Sequence, residues 1–537
     1  MTPRFDAIVL GGSLDALVAA LSLARASSKV ALLVPESEIG AELRTVEFLP
    51  GFRAAPLGRD LGWIPADILA LSGLKSLPQL APDPPLIAFG EDGPLALRRS
   101  PQASAQAIAG LSRRDGTRWL EFCREGSALA AFLAEIYRMP APQIAAHGCG
   151  LPRGLEIFDL LRGLRRFRRL GRRRMQSFLH AAPAPIADLL DDWFESPLLK
   201  GALAALAVRD LCQGPRSGGT AFNWLHRQVG GGAQGFLDRA LPQGGAGLLL
   251  AALMHQARER GVVIRTAARV ARIKIENDTV RGIELASGEE WQSAAVLSAL
   301  DPRQTLLGLI DPMHLEAETI QAIQRVRYRA VTSVALLALE RLPPLPTLAG
   351  APTGSFIFAP SMNAVERAFD ATKYGQLSDT PVVELCFPSV ADPALAPVGK
   401  HVAMLRIQYT PGVVRDHPWD DALREAVGAR ALRVTERYLP GFGAAITGGL
   451  MLAPPDLERL FGLHAGAIGG PELALDQMMF MRPFAGAARH ALPVRGVFVC
   501  GPGTHPGPGI AGISGLHAAR AVLRWQKSQP DRISKAQ

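Results

Sequence analysis

Wholly apolar runs of a few residues alternate along this chain with longer stretches in which apolar residues recur at helical spacing. The first unit is the clearest. Phe5-Asp-Ala-Ile-Val-Leu10 reads as a strand buried on both faces, Leu17-Val-Ala-Ala-Leu-Ser-Leu-Ala24 as a helix, and Lys29-Val-Ala-Leu-Leu-Val34 as the next strand. Gly11-Gly12-Ser13-Leu14-Asp15-Ala16 joins the first two. This β-turn-α-β order sets a glycine-bearing turn at a helix N-terminus, where backbone N–H groups can receive a phosphate. A related unit closes the chain: the apolar strand Gly496-Val-Phe-Val-Cys500, a loop with six glycines between Gly501 and Gly515, and the helix Leu516-His-Ala-Ala-Arg-Ala-Val-Leu523. Glycine at that density lets a backbone press against a flat or phosphorylated ligand where a Cβ would collide. Between these ends, Val331–Leu337 and Val402–Tyr409 are β-prone, and the proline-rich stretches Ala81–Pro85 and Leu342–Pro346 read as loops. No internal repeat is visible.

A length of 537 residues exceeds one core and predicts two domains; 48% hydrophobic and 20% charged residues describe a globular protein with a large interior. Cysteines 123, 149, 212, 386 and 500 form no CxxC and no metal-ligand spacing, so neither a metal site nor a disulfide framework is expected. Cys500 reads as a small core residue. The apolar stretch Ile8–Leu23 is followed by Ala24-Arg-Ala26, which mimics a signal cleavage site. Asp15 interrupts that stretch and a strand and helix already account for it, so a cytoplasmic location is expected. No apolar run reaches membrane-spanning length. The polar tail 531–537 is expected to be flexible.

Net charge is +9, with arginines at 162, 165, 166, 168, 169, 172, 173 and 174. On a helical wheel most share one arc, Leu164, Phe167 and Leu170 line the other side, and Arg174 is the exception. This Arg162–Arg174 basic helix either packs through its apolar face with solvated arginines outside, or docks on an anionic membrane surface or a partner protein. Nucleic acid is not expected, because the basic segment has no aromatic interleaving.

The N-terminal fingerprint is altered. In G-x-G-x-x-G/A terms Gly11 makes the tight turn, Ser13 stands at the second glycine, and Ala16 at the third. Val34 occupies the place of the acidic residue that would hold a ribose, with Glu36 two residues on.

Both ends and several middle segments resemble the phytoene desaturase-like branch of the FAD-dependent amine oxidase superfamily, which includes carotenoid desaturases and relatives with a pyridine nucleotide-disulfide oxidoreductase domain. The resemblance rests on Ile39-Gly-Ala-Glu-Leu-Arg-Thr45, Leu49-Pro-Gly-Phe-Arg53, the segment Leu189-Leu-Asp-Asp-Trp-Phe-Glu195, which it implies is helical, Gly218-Gly-Thr-Ala-Phe222 and Gly244-Gly-Ala-Gly247. The stretch Gly261–Pro302, the run Glu472–Gln477, Arg482-Pro483 and the terminal glycine loop complete it, colinear over nearly the whole chain. The resemblance implies an α/β fold with a Rossmann-type FAD-binding domain (1–70, 235–305 and 485–530) interleaved with a substrate or cap domain of mixed sheet and helices (71–234 and 306–484).

It further implies that Gly11, Gly12, Ser13 and Ala16 approach the FAD pyrophosphate, with Glu36 near the ribose. Gly40, Ala41, Arg44 and Thr45 would follow the ribityl–phosphate chain, and the Val270 backbone would face the adenine. Gly501, Gly503, Gly512 and Ile513 would lie near ribityl and isoalloxazine. His505 is the catalytic candidate in the loop, although its Thr-His-Pro run also reads as structural. Asp476 and Gln477 would brace the flavin-facing loop, and Arg482 would anchor an anion or a neighbouring strand. The implied activity is FAD-dependent oxidation of a C–H bond in an apolar, lipid- or polyene-like small molecule. Ser13, Val34, Ala41, Ala467 and Gly470 depart from the family pattern, which leaves a second reading: a flavoprotein fold with weakened FAD binding that serves as an assembly subunit. An amine or amino-acid oxidase is the third reading; the 6% aromatic content favours the apolar substrate.

Overall fold

The computed structural model describes residues 2–58, 60–91, 93–142, 154–232, 234, 235, 237, 241–243, 245–345 and 352–528. The 531–537 tail, Cys149 and Gly244 lie outside the described residues, as do the side chains of Ala41 and of residues 154–160.

The apolar runs assemble into a five-stranded parallel sheet in the order Val263–Arg265, Val30–Leu33, Ala7–Leu10, Val296–Ser298, Val497–Val499. Its central strands are buried at every position, as an all-parallel sheet covered on both faces requires. The first helix (Leu14–Arg25) packs against this sheet and the last helix (Ile513–Lys527) against the first. Gly515 is where those helices touch: a Cβ there would lie 2.1 Å from the Asp15 carbonyl oxygen. The opening strand is split, because Asp6 turns its carboxylate to the Lys29 N–H (2.7 Å) and separates Arg4–Phe5 from Ala7–Leu10. Arg4–Phe5 instead joins Glu290–Ser293, Thr279–Leu285 and Val270–Glu276 in a four-stranded sheet.

A seven-stranded mixed sheet carries the other large core. Its order is Ile446–Leu452, Thr332–Leu339, His401–Gln408, Val382–Cys386, Ser355–Phe358, Leu86–Gly90, Gly93–Leu97. Strands from 1–70, 235–305 and 485–530 make the parallel sheet, and strands from 71–234 and 306–484 make the mixed one.

Two sequence readings are corrected. The Leu189–Glu195 segment is helical only to Trp193, where the helix Ile186–Trp193 ends and Phe194 turns extended. The basic segment is two helices, Gly154–Arg169 and Gly171–Ala181, because Gly171 takes φ +79° and breaks the first. Phe167 packs against Phe132 and Phe178 (centroids 5.7 and 6.0 Å), which fixes the rotation of the hairpin and turns Leu164 to solvent, 46% exposed, on the arginine side.

Candidate functional site

The strand-to-helix turns at both chain ends meet above the parallel sheet and enclose a cavity of about 320 Å³. Gly11, Gly12 and Ser13 line it at the start of the first helix, with Gly503 and Gly512 from the terminal loop and Glu36 beyond the second strand. Side chains are excluded from this floor. Gly11 has φ +107°, and a Cβ on Gly12 would lie 2.7 Å from Val34 Cγ1. On Gly503 it would lie 2.6 Å from Pro302 Cδ. Ser13 fits because its backbone is extended (φ −71°, ψ 164°) and its hydroxyl accepts from the Ala16 N–H at 3.3 Å, capping the helix. The positive end of that helix faces the cavity.

Three carboxylates share this space. Burial raises Asp15 to about 6, against the Gly515 N–H, which donates to it at 3.0 Å and favours its charged form. Burial raises Glu42 to about 7, and the neighbouring charges of Glu36 and Asp15 add to that. Burial raises Glu36 as well. On the far wall, Asp301 is raised by burial while Tyr328 donates to it at 2.8 Å. Asp15 and Glu42 carried no motif signal, and eight residues of the segment Phe461–Gly470 line the cavity as well.

Other sequence candidates lie elsewhere. Ala16 and Ile513 are buried in their helices, and Thr45 is exposed; none lines the cavity. Gly40 donates its N–H to the Gly12 carbonyl at 2.6 Å, behind the floor. Arg44 stacks on Phe461 at 5.6 Å and donates to the Leu460 carbonyl. Val270 opens a strand of the four-stranded sheet, and Gly501 donates to Ser514 Oγ at 2.8 Å. His505 is buried, edge-on to Tyr137 and 6.1 Å from the His517 ring, and burial holds it neutral; it lines neither this cavity nor the next.

A second cavity, of about 270 Å³, adjoins the first; Leu57, Asp60, Ile468, Gly469, Pro508 and Gly509 line both. Its wall is mostly apolar, with Leu206, Leu211, Leu237, Leu241 and Met404, and one end is a charged network. There Arg406 meets Asp210 at 2.6 Å and Arg209 meets Glu384 at 3.3 Å. Burial pushes Asp210 upward, but Arg406, Arg209 and Arg227 outweigh it and hold the carboxyl below the usual range. His226 lines this cavity and is the histidine that sequence reasoning missed. Its Nε2 lies 2.7 Å from the Pro508 carbonyl oxygen and its Nδ1 2.8 Å from the Tyr137 hydroxyl. A carbonyl only accepts, so Nε2 carries the proton and Nδ1 accepts from Tyr137.

Arg482 is fully buried and donates to the carbonyls of Pro471, Glu472, Gln477 and Pro502 at 2.7–3.2 Å. Burial lowers it to about 10. Its two terminal nitrogens are spent bracing the loop, while its buried Nε has no hydrogen-bond partner among the described residues. Gln477 Nε2 donates to the Glu472 carbonyl at 3.2 Å, and Asp476 meets Arg327 at 2.5 Å. No group of His, Cys, Asp and Glu fit to hold a metal occurs among the described residues.

Residues 214–523 match the family model described as flavin containing amine oxidoreductase. The chain belongs to that family. It is 31% identical to the pyridine nucleotide-disulfide oxidoreductase domain-containing protein 2 of Rattus norvegicus, over 98% of this chain and 95% of that one. It is 27% identical to the hydroxyneurosporene desaturase of Cereibacter sphaeroides, over 96% of this chain and 97% of that one. Among solved structures, a putrescine oxidase variant redesigned for cofactor binding shares the fold, with a TM-score of 0.62 at 12% identity, over 98% of this chain and all of that one. The family member is an FAD-dependent oxidoreductase with a Rossmann-type FAD domain and a substrate domain. The residues fit that cofactor: the floor at Gly11, Gly12 and Gly503 admits no Cβ without displacement, and a helix N-terminus faces the space.

Proposed function

We propose that this oxidoreductase oxidises a C–H bond of a predominantly apolar molecule bound in the second cavity, with one polar group of that molecule turned to the Arg209–Asp210–Arg406 network. The observation that carries the reading is the wall common to the two cavities, where Ile468, Gly469, Pro508 and Gly509 set a substrate chamber against the cofactor chamber. Bound FAD supplies the two-electron acceptor. The chain's own part is to bind and orient. Leucines from several elements exclude water, the paired charges fix one end, and His226 holds the carbonyl of Pro508, a residue of the shared wall. Gly11, Gly12, Ser13, Glu36, Gly503 and Gly512 are the residues we assign to FAD contact, and Asp15 and Glu42 join them.

The test is the visible spectrum of the FAD-reconstituted protein under anaerobic conditions, titrated with polyenes, long-chain lipids and simple amines. Bleaching of the flavin bands by an apolar compound supports the reading. Bleaching by simple amines alone overturns it in favour of an amine oxidase. A colourless protein that cannot be reconstituted points to the assembly-subunit reading.

A further inference from the structure

The helical hairpin Gly154–Arg169 and Gly171–Ala181 stands on the long helix Arg113–Tyr137, away from both cavities. Its inner side is accounted for. Phe167 and Phe178 pack on Phe132. Arg166 pairs with Glu135, Arg173 with Glu121 and Arg174 with Glu125 at 2.8–3.2 Å. Its outer side is different. Arg162, Arg165, Arg168, Arg169 and Arg172 have no carboxylate partner among the described residues, and between them stand Leu161, Leu164 and Leu179, exposed by 58%, 46% and 61%. At about 100° per residue, Leu161, Leu164, Arg162, Arg165, Arg168 and Arg169 occupy one arc of about 160°, opposite Phe167 and Leu170. Leu179 falls beside Arg172 on the second helix.

A merely solvated face has no use for three exposed leucines, and a nucleic-acid face would present its aromatic rings, which here are turned inward. We propose that this hairpin docks peripherally on an anionic lipid surface, its arginines against headgroup phosphates and its leucines at the acyl boundary. Exposed cationic charge with apolar side chains interleaved complements that surface on both counts. No described helix is long and apolar enough to cross a membrane. The inference does not depend on the substrate reading.

The test is co-sedimentation of the full-length FAD-loaded protein with vesicles of phosphatidylcholine alone and of phosphatidylcholine with about three tenths phosphatidylserine. The protein should pellet with the anionic vesicles and leave them at high salt. The triple change Arg165→Gln, Arg168→Gln, Arg172→Gln should lower the partition coefficient about a hundredfold. Leu161→Ser, Leu164→Ser, Leu179→Ser keeps the charge and should lower it at least about tenfold. All six side chains are exposed, so melting temperature and flavin spectrum should hold and certify the folded state. Absence from the pellet at low salt overturns the proposal. So does wild-type pelleting by both variants, or capture by single-stranded RNA in preference to the vesicles.

Discussion

A hydroxyl at position 13 stands where a dinucleotide fingerprint has bare glycine, and the helix it caps explains why it is tolerated. Ser13→Ala removes the acceptor for the Ala16 N–H and should cost about 1 kcal/mol in urea unfolding of the flavin-free protein. Ser13→Gly should cost only a few tenths, because glycine is itself an acceptable cap. Equal losses would mean the hydroxyl does not cap. The neighbouring carboxylates govern pH. Asp15 and Glu42 titrate near 6 and 7 in the folded protein, above their ordinary values of 3.8 and 4.5. The folded state therefore holds more protons than the unfolded one between those limits. Their contribution to stability is complete below about pH 4 and is lost as pH rises through 6 to 7. Glu42→Gln should flatten that fall, by on the order of 2 kcal/mol at pH 8, in melting scans of the flavin-free protein. On the proposed assignment FAD would set its pyrophosphate beside the same charges, and its affinity should then weaken across the same window, less steeply in the variant. Parallel curves for the two proteins would remove Glu42 from the account.

The terminal glycine loop is held as an element by partners that come from far away in the chain. Arg482 ties Pro502 to the 471–477 segment, and His226, on the helix Thr220–Gln228, holds Pro508 while itself fixed by Tyr137. A double-mutant cycle reads that pair. His226→Phe leaves the Tyr137 hydroxyl and the Pro508 carbonyl without this partner and should cost about 2 kcal/mol, whereas adding Tyr137→Phe should recover part of it, a coupling of about 1 kcal/mol. Strict additivity would show that the two side chains act separately. The strands bearing the loop and the first turn were legible because Ile8–Leu10, Ala31–Leu33 and Val497–Val499 are uninterrupted apolar runs, which only a doubly covered sheet accepts. His226 was not. It belongs to no motif, and its partners are 89 and 282 residues distant. The hairpin was misread as one helix because a single glycine among arginines weakens a helical pattern without ending it; the left-handed turn at Gly171 is a tertiary choice. Leu164 followed, since helix rotation was set by Phe132, a residue outside the basic segment.

At the scale of the molecule, function depends on two sheets that the chain builds by passing repeatedly between them. Three separate stretches make the parallel sheet, and the charged end of the second cavity gathers Asp210 and Arg406 across 196 positions. Charge balance explains how such a cluster sits beside leucines: Arg406 pairs with Asp210 and Arg209 with Glu384, so these pairs add polarity without net charge that would have to be desolvated alone. The consequence is a chamber that can hold an apolar body and fix one end. Ile468 lines both cavities where they meet, and it is only partly buried there. Ile468→Trp should fill that junction while leaving the glycine floor untouched. The variant should retain its flavin spectrum and melt within a few degrees of the parent, since a partly buried side chain has room to grow without overpacking the core. Anaerobic bleaching by substrate should slow at least about tenfold, because a displacement of about 1 Å from the reacting geometry already costs on the order of a hundredfold. Loss of flavin together with activity would place Ile468 in the cofactor site proper. Unchanged bleaching would mean that substrate reaches the flavin by another face, and the second cavity would no longer be the reaction chamber.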